Sequence, residues 1–222
     1  MNEVGPDGDA GLLDYYQRRA KEYEAIYARP ERQADLAALR SLIGGRFEGA
    51  RVLEVACGTG YWTQVIASAA AAVVATDLAD EPVKIARTKK YPRRNVTFTS
   101  ADAYVLGPEL GRFDAAFAGF WWSHVPRERV DEFLRALHAR LEPGATVLLL
   151  DNIYVEGIST PVAGIDAAGN TYQMRRLGDG SRVRVLKNFV SEGELRERIG
   201  PHAARFRFTA LQYYWLVEYT LR

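Results

Sequence analysis

Strand-like and helix-like segments alternate through the middle of this chain, and this alternation limits the folds open to it more than any other feature. The segments RVLEV, AAVVATD, NVTFTS, FDAAFAGF and ATVLLLD are mainly apolar or β-branched, and helical patterns separate most of them. Strands that lack a polar face are buried on both sides, as in parallel sheets covered by helices. The sequence therefore predicts an α/β fold with a doubly wound, mostly parallel sheet.

Both ends of the chain, and one internal segment, depart from this pattern. Residues 1–10 are expected to be disordered, and residues 11–222 are predicted to form a single domain that opens with helices over 11–45. The chain closes with ARFRFTA and YYWLVEYTL, two strands with no helix between them, which predict a terminal β-hairpin. In the segment 152–190, TYQMRRL and RVRVLKNF flank the turn GDGS, so an inserted hairpin is expected there.

The composition of the chain limits the partners that it is expected to bind. The chain of 222 residues carries a net charge of +1 without a basic stretch, so nucleic acid is not an expected partner. No apolar run approaches the roughly 20 residues of a membrane span, and the first residues do not resemble a signal peptide. A cytoplasmic protein without membrane association is predicted, as a monomer or homodimer. One cysteine and three scattered histidines give no metal-ligand spacing, so no metal is expected.

The glycine turn in VLEVACGTGYW, residues 52–62, joins a strand to a helix, which is where α/β sheets commonly bind ligands. The run that starts at Gly58 lacks the third glycine of the dinucleotide fingerprint, and Trp62 occupies space that a pyrophosphate needs. Glu54 would repel phosphate but suits an ammonium group. Asp77, at the end of the next strand, is placed to bind ribose hydroxyls. These features describe a nucleoside with a cationic tail, as in S-adenosylmethionine.

At these residues the sequence resembles the class I S-adenosylmethionine-dependent methyltransferases, over most of its length. The family's first motif, acid-x-G-x-G-x-G, is present as Glu54-Val-Ala-Cys-Gly58-Thr-Gly60, with Ala56 in the place of the first glycine. The resemblance implies a Rossmann-like seven-stranded sheet with a reversed terminal hairpin, an N-terminal helical lid and a hairpin insertion after strand 5. It also implies S-adenosylmethionine as cofactor and S-adenosylhomocysteine as product.

The resemblance further implies roles for single residues. Glu54 holds the methionine amino group, Asp77 takes the ribose hydroxyls, and Asp102 contacts the adenine amino group, although each acid could instead serve as a strand-end group or helix cap. Tyr15 and Arg19 share a helix face and could reach the methionine carboxylate, with Tyr16, Tyr23 and Tyr27 on the core side. The expected cofactor contacts are Tyr15, Arg19, Glu54, Ala56, Gly58, Gly60, Trp62, Asp77, Leu78, Asp102, Ala103, Gly119 and Phe120.

The stretch GFWWSHVP follows the fourth strand and is expected at the rim of the methyl-transfer site. Trp121 and Trp122, with Tyr154 and Tyr172 from the insertion, are the predicted acceptor contacts, and this aromatic rim favours an aromatic compound or natural product. His124 is a candidate general base, because an oxygen acceptor usually loses a proton during transfer. A cap or a hydrogen bond within the loop is the alternative role for His124.

The predicted function is methyl transfer from S-adenosylmethionine to an oxygen or nitrogen of a small organic acceptor. Two alternatives stay open, namely a non-catalytic S-adenosylmethionine-binding module and an NAD-dependent oxidoreductase. The missing third glycine and the reversed hairpin disfavour the oxidoreductase. In metal-dependent catechol-type relatives, an acid after the fourth strand joins an Asp-Asn pair after the fifth; here Asp151-Asn152 matches only the second part, so no metal is predicted.

Overall fold

The computed structural model describes residues 9–222. The disorder predicted for residues 1–10 therefore concerns residues outside this range, except for Asp9 and Ala10, which begin the first helix. Within the described range the α-helices are α1 (Asp9–Arg19), α2 (Gln33–Gly44), α3 (Tyr61–Ala67), α4 (Asp80–Thr88), α5 (Val130–His138) and α6 (Glu192–Ile199). The strands are β1 (Arg51–Val55), β2 (Ala72–Asp77), β3 (Val96–Ser100), β4 (Phe113–Gly119), β5 (Leu141–Asn152), β6 (Val162–Ile165), β7 (Thr171–Arg176), β8 (Arg182–Leu186), β9 (Ala203–Ala210) and β10 (Tyr214–Leu221).

Seven strands form the main sheet in the order β3-β2-β1-β4-β5-β10-β9. The first five run parallel, whereas β10 lies antiparallel to both β5 and β9. The doubly wound sheet and its reversed terminal hairpin are thus confirmed. Because the strand order reverses between β1 and β4, the crevice at their carboxyl ends is the position where such sheets bind ligands.

Both faces of the sheet are buried, as the apolar strands predicted. Val52 and Leu148 pack with helices α2 and α3 on one face, while Leu53 and Leu149 pack with α5 and α6 on the other. Neighbouring residues of one strand therefore serve two separate cores, which explains why these strands show no polar alternation. The capping box that begins α6 is also present, formed by Ser191 and Glu194.

The N-terminal segment covers the carboxyl edge of the sheet. Helix α1 contacts α4 and the insertion strand β8, and it continues as a 3-10 helix over Ala20–Ala28, where the sequence predicted one unbroken helix. The insertion is a three-stranded antiparallel sheet, β6-β7-β8. Its hairpin β7-β8 is the one predicted, but β6 was missed because its four residues are mostly exposed and include Gly164. Lid and insertion thus meet above the crevice.

Candidate active site

A first cavity lies at the carboxyl ends of β1, β2 and β4, under helix α1. Leu12, Leu13, Tyr16 and Ala20 form its lid side. The sheet side brings together many of the residues expected to contact the cofactor or the acceptor, namely Ala56, Gly58, Asp77, Leu78, Asp102, Ala103, Gly119, Phe120, Trp121 and His124. The backbone is strained at two of these positions, since Ala56 and Phe120 have φ values of 54° and 61°. Such left-handed non-glycine residues are concentrated at functional sites.

Two carboxylates of the first cavity are fixed by backbone hydrogen bonds. Asp77 accepts hydrogen bonds from the backbone N–H of Gly58 at 2.7 Å and of Ala79 at 2.8 Å. Burial raises the pKa of Asp77, while these two hydrogen bonds act in the opposite direction. Asp102 accepts from the backbone N–H of Tyr104 at 2.9 Å. Each carboxylate keeps lone pairs for a further donor, such as a ribose hydroxyl or an amino group.

Glu54 lines a smaller space under the glycine turn, the lower pocket, together with Tyr23, Tyr27 and Trp62. The lower pocket shares Ala56 and the nearby turn with the first cavity. Glu54 is only 1% exposed, its Oε2 atom has no hydrogen-bond partner among the described residues, and burial raises its pKa to about 8. A buried, unpartnered carboxylate oxygen is costly, and a ligand ammonium group would satisfy it.

Gly60 has a structural role besides the predicted contact with the cofactor. It caps the start of α3 with φ of 77°, and a Cβ atom there would lie 2.9 Å from the Cβ of Ala86. It lines neither the first cavity nor the lower pocket. Gly60 therefore allows the turn to pack against α4, and its contact with the cofactor stays a prediction.

A second cavity lies between the lid and the insertion. It shares Tyr16, Tyr23, Phe120 and His124 with the first cavity, so these four residues form a common wall. Tyr15 and Arg19 line this second cavity and not the first, and their contact with the cofactor stays a prediction. The physical reason for their position is the orientation of α1: the face that carries Tyr16 and Ala20 covers the first cavity, while Tyr15 and Arg19 turn toward the insertion.

His124 lies in the common wall with both ring nitrogens engaged. Its Nδ1 lies 2.7 Å from the carbonyl oxygen of Leu186, and its Nε2 lies 2.7 Å from the hydroxyl of Tyr16. Since a carbonyl can only accept, Nδ1 carries the hydrogen and Tyr16 donates to Nε2. Burial, together with the positive charge of Lys187, lowers the pKa of His124 to about 3. His124 is thus a neutral acceptor that joins the lid to the loop after β4.

A buried polar network below His124 had no signal in the sequence. Asp151 accepts hydrogen bonds from the backbone N–H and the hydroxyl of Ser123, at 2.8 and 3.0 Å, and its carboxylate lies 3.2 Å from Lys187 Nζ. Lys187 also donates to Ser123 Oγ at 2.6 Å. The Asp-Asn pair considered for a metal is therefore used to tie the insertion to β5. Within residues 9–222 no group of three or more His, Cys, Asp or Glu residues is arranged to hold a metal ion.

Three predicted acceptor contacts lie elsewhere. Trp122 is 4% exposed and packs edge-on against Phe133 and Trp215 in the core, because the chain turns into a 3-10 helix at this point. Tyr154 packs against Phe189, and Tyr172 donates a hydrogen bond to Asp166. These three residues do not line the first cavity, the second cavity or the lower pocket. Tyr16 and Tyr23, which the helical pattern placed on the core side, line both main cavities.

We expect Tyr16→Phe to lower the affinity for the cofactor several-fold and the free energy of unfolding by about 1–3 kcal/mol, since the mutation leaves His124 Nε2 buried without a donor. The matched control is Tyr219→Phe, because the Tyr219 hydroxyl makes a similar 2.8 Å hydrogen bond to His138, far from both cavities. Calorimetric titration and chemical denaturation measure the two effects. If both variants lose stability but keep full cofactor affinity, the lid contact has no role in binding.

Comparisons with known proteins agree with this geometry. A family model described as a methyltransferase domain matches residues 52–144, from β1 to the start of β5. The ubiquinone biosynthesis O-methyltransferase of Xanthomonas campestris pv. campestris is 34% identical over 150 residues, which cover 66% of this chain and 59% of that protein. The demethylmenaquinone methyltransferase of Clavibacter sepedonicus is 29% identical over 148 residues, 66% of this chain and 56% of that protein. The chain thus spans somewhat more than half the length of these curated relatives.

A solved structure supports the same assignment over nearly the whole chain. The structure described as a DhpI–SAH complex is 30% identical, has a TM-score of 0.75 and covers 93% of both chains. The fold, and a crevice whose residues suit a nucleoside, are those of the α/β proteins that bind S-adenosylmethionine. The chain belongs to the class I S-adenosylmethionine-dependent methyltransferases, and this membership favours S-adenosylmethionine over NAD as its cofactor. None of the helices in residues 9–222 has the length and apolarity needed to cross a membrane.

Proposed function

We propose that this protein transfers the methyl group of S-adenosylmethionine to an oxygen or nitrogen of a small organic acceptor in the cytoplasm. The observation that carries the proposal is the common wall of Tyr16, Tyr23, Phe120 and His124 between the first and second cavities. A cofactor in the first cavity and an acceptor in the second would meet at this wall. Alignment of two reactants at one point is the main contribution that a methyl-transferring protein can make.

The residues of the first cavity and of the adjoining lower pocket have the chemistry that the cofactor requires. Glu54 would bind the amino group, since its unpartnered Oε2 is buried beside the glycine turn. Asp77 would hold the ribose hydroxyls, and Asp102 the adenine amino group. Leu78, with 47% of its surface exposed at the cavity, and Ala103 would cover the adenine ring. When bound, S-adenosylmethionine supplies an electrophilic methyl group on a sulfonium.

The second cavity offers a place for the acceptor. The insertion contributes Ile158, Val185 and Phe189, and the lid contributes Tyr15 and Ile26. These side chains offer apolar and aromatic surface, which supports an acceptor with apolar or aromatic area. Because lid and insertion close over the common wall, they would exclude water from the reacting atoms.

The pH dependence of kcat tests whether His124 is a base. With a pKa of about 3, His124 stays neutral throughout the physiological range, so we expect no loss of kcat as the pH falls from 8 to about 5. A free histidine base would instead lose its activity below its ordinary pKa of about 6.5. A decline of kcat centred near 6.5 that disappears in His124→Asn would show that His124 does act as the base.

Transfer itself is tested by incubating the protein with methyl-labelled S-adenosylmethionine and a small-molecule extract. The proposal predicts labelled products of low molecular mass and stoichiometric S-adenosylhomocysteine. Label that stays on bound cofactor would identify a non-catalytic binding module, which is the remaining alternative. Label found only in protein or nucleic acid would contradict a small organic acceptor.

A further inference from the structure

The second cavity is unusually basic for a space that also has aromatic walls. Among residues 9–222, no acidic residue lines this cavity. The cationic side chains that line it are Arg19, Arg29, Arg32, Arg175 and Lys187. They come from the lid, from the residues leading into α2, and from the insertion strands, so the fold gathers them from distant parts of the sequence. Positive charge concentrated in a cleft attracts and holds anions.

Most of this charge is not neutralised within the protein. Lys187 pairs with Asp151, and Arg29 lies 3.9 Å from Glu31. Arg19, Arg32 and Arg175 have no ion-pair partner in the part of the chain that the structure describes.

Arg175 and Arg32 are held in place by neutral groups. Arg175 donates hydrogen bonds to Thr160 Oγ1 at 2.9 Å and to Gln173 Oε1 at 2.5 Å. Arg32 is only 8% exposed, and its Cζ lies 4.0 Å from the centre of the Tyr213 ring. Its Nε has no hydrogen-bond partner among residues 9–222. Both guanidinium groups are therefore oriented by neighbours that leave their charge available.

The cations also repel each other. Burial lowers the pKa of Arg175, and the positive charges of Arg19 and Arg29 lower it further. Burial likewise lowers the pKa of Lys187, and Arg175 adds to this effect although Asp151 opposes it. Like charges gathered in a partly buried space are unfavourable unless an anion compensates them. The ligand that relieves this repulsion carries at least one negative charge.

We infer that the second cavity binds a small organic acid, and that the methylated atom is an oxygen of its anionic group. This inference rests on the proposed function. One anionic oxygen forms a bond to the methyl carbon while the bond between that carbon and sulfur breaks, and the bonding pair stays on sulfur. The acceptor loses one negative charge, so a carboxylate gives a neutral ester and a doubly ionised phosphorus oxyacid gives an ester with one remaining negative charge. The other product is S-adenosylhomocysteine, whose sulfur is a neutral thioether. No proton has to leave the acceptor.

The common wall agrees with an acceptor that needs no base. Burial raises the pKa of Tyr16 and Tyr23 above their ordinary value and lowers that of His124. None of these groups readily takes a proton near neutral pH. An alcohol would have to be deprotonated first, whereas a carboxylate or a phosphorus oxyacid arrives already ionised.

Binding is tested by calorimetry on the protein loaded with S-adenosylhomocysteine. The probes are acetate, benzoate, inorganic phosphate and phenylphosphonate, with acetamide and benzamide as neutral counterparts. We expect at least one of the anions to bind, and we expect neither acetamide nor benzamide to bind. Comparison of the carboxylates with the phosphorus probes shows which acid is preferred. Binding by none of the anions, or equal binding of benzoate and benzamide, would overturn the inference. Failure to bind S-adenosylhomocysteine would instead defeat the proposed function.

The matched variants are Arg175→Gln and Arg176→Gln, neighbours on β7 of which only Arg175 lines the second cavity. Arg175→Gln should weaken anion binding by about tenfold or more, since it removes a charge-assisted contact, and should leave S-adenosylhomocysteine affinity unchanged. Arg176→Gln should change neither. If Arg175→Gln fails to bind S-adenosylhomocysteine, Arg29→Gln, at another cation that lines the second cavity, provides the same comparison. Equal anion binding by the lining and control variants would contradict the inference, as would methyl transfer to benzyl alcohol in preference to the acids.

Discussion

Glu54→Gln is expected to weaken the binding of S-adenosylmethionine by about tenfold or more and, at the same time, to stabilise the unliganded protein. A hydrogen bond between a carboxylate and an ammonium group contributes roughly 1.5–3 kcal/mol, which the amide cannot replace. Calorimetric titration at pH 8, where Glu54 is substantially ionised, measures the affinity. Glu142→Gln is the matched control, because Glu142 is an exposed acid that pairs with Arg112 away from the cavities. Equal affinity of wild type and Glu54→Gln would remove Glu54 from the cofactor site.

The stability effect of Glu54→Gln has a defined sign. Folding raises the pKa of Glu54 from its ordinary value of 4.5 to about 8 because the group is buried. The folded protein thus holds this proton more tightly than the unfolded chain, and stability is lost as the pH rises from about 4.5 to about 8. Glu54→Gln abolishes that loss. We expect its free energy of unfolding to exceed that of the wild type by about 1 kcal/mol or more at pH 8, and the difference to vanish near pH 4.

Asp151→Ala is expected to lower the free energy of unfolding by about 3–5 kcal/mol at pH 7. The change leaves Lys187 charged and buried without its partner, and it removes the acceptor of the Ser123 backbone N–H. Chemical denaturation measures the loss. Asp114→Ala is the control, since the exposed Asp114 also accepts a backbone N–H, that of Arg51, and should cost no more than about 1 kcal/mol.

Two further results follow from the same ion pair. Burial alone would raise the pKa of Asp151, but the positive charge of Lys187 and the backbone donors of Ser123 and Asn152 outweigh burial and lower it. The contribution of Asp151 is therefore present above the unfolded-state pKa of about 3.8 and is lost as the pH falls below it. The double variant Asp151→Leu with Lys187→Met should recover much of the stability, because no unpaired charge remains. If it is as unstable as Asp151→Ala, the loss does not come from the unpaired lysine.

The sequence predicted those parts of the site whose residues lie in short, contiguous stretches of the chain. The acid and glycines of VLEVACGTGYW and the acids at the ends of β2 and β3 lie on consecutive loops of a parallel sheet, which meet at one edge by geometry. The strand types followed from the same logic, since a run such as ATVLLLD has no polar face to expose.

The sequence could not predict the features of the site that depend on the direction of a side chain or on contacts between distant parts of the chain. Whether Trp121 or Trp122 faces the cavity is decided by a single 3-10 turn, which no residue pattern marks. Arg175 and Lys187 meet Arg19 only because α1 contacts the insertion strand β8, so the basic cavity has no local signature. Ala56 adopts a left-handed backbone conformation that is normally found at glycine. An alanine in the sequence does not by itself predict such a conformation.

A single titration series tests the central claim most directly: purified protein against S-adenosylmethionine, S-adenosylhomocysteine and NAD, each by calorimetry. Membership of the family and the lining of the first cavity predict micromolar binding of the first two and none of NAD. Binding of NAD alone would mean that the glycine turn serves a dinucleotide, and the assignments of Glu54, Asp77 and Asp102 would fall with it.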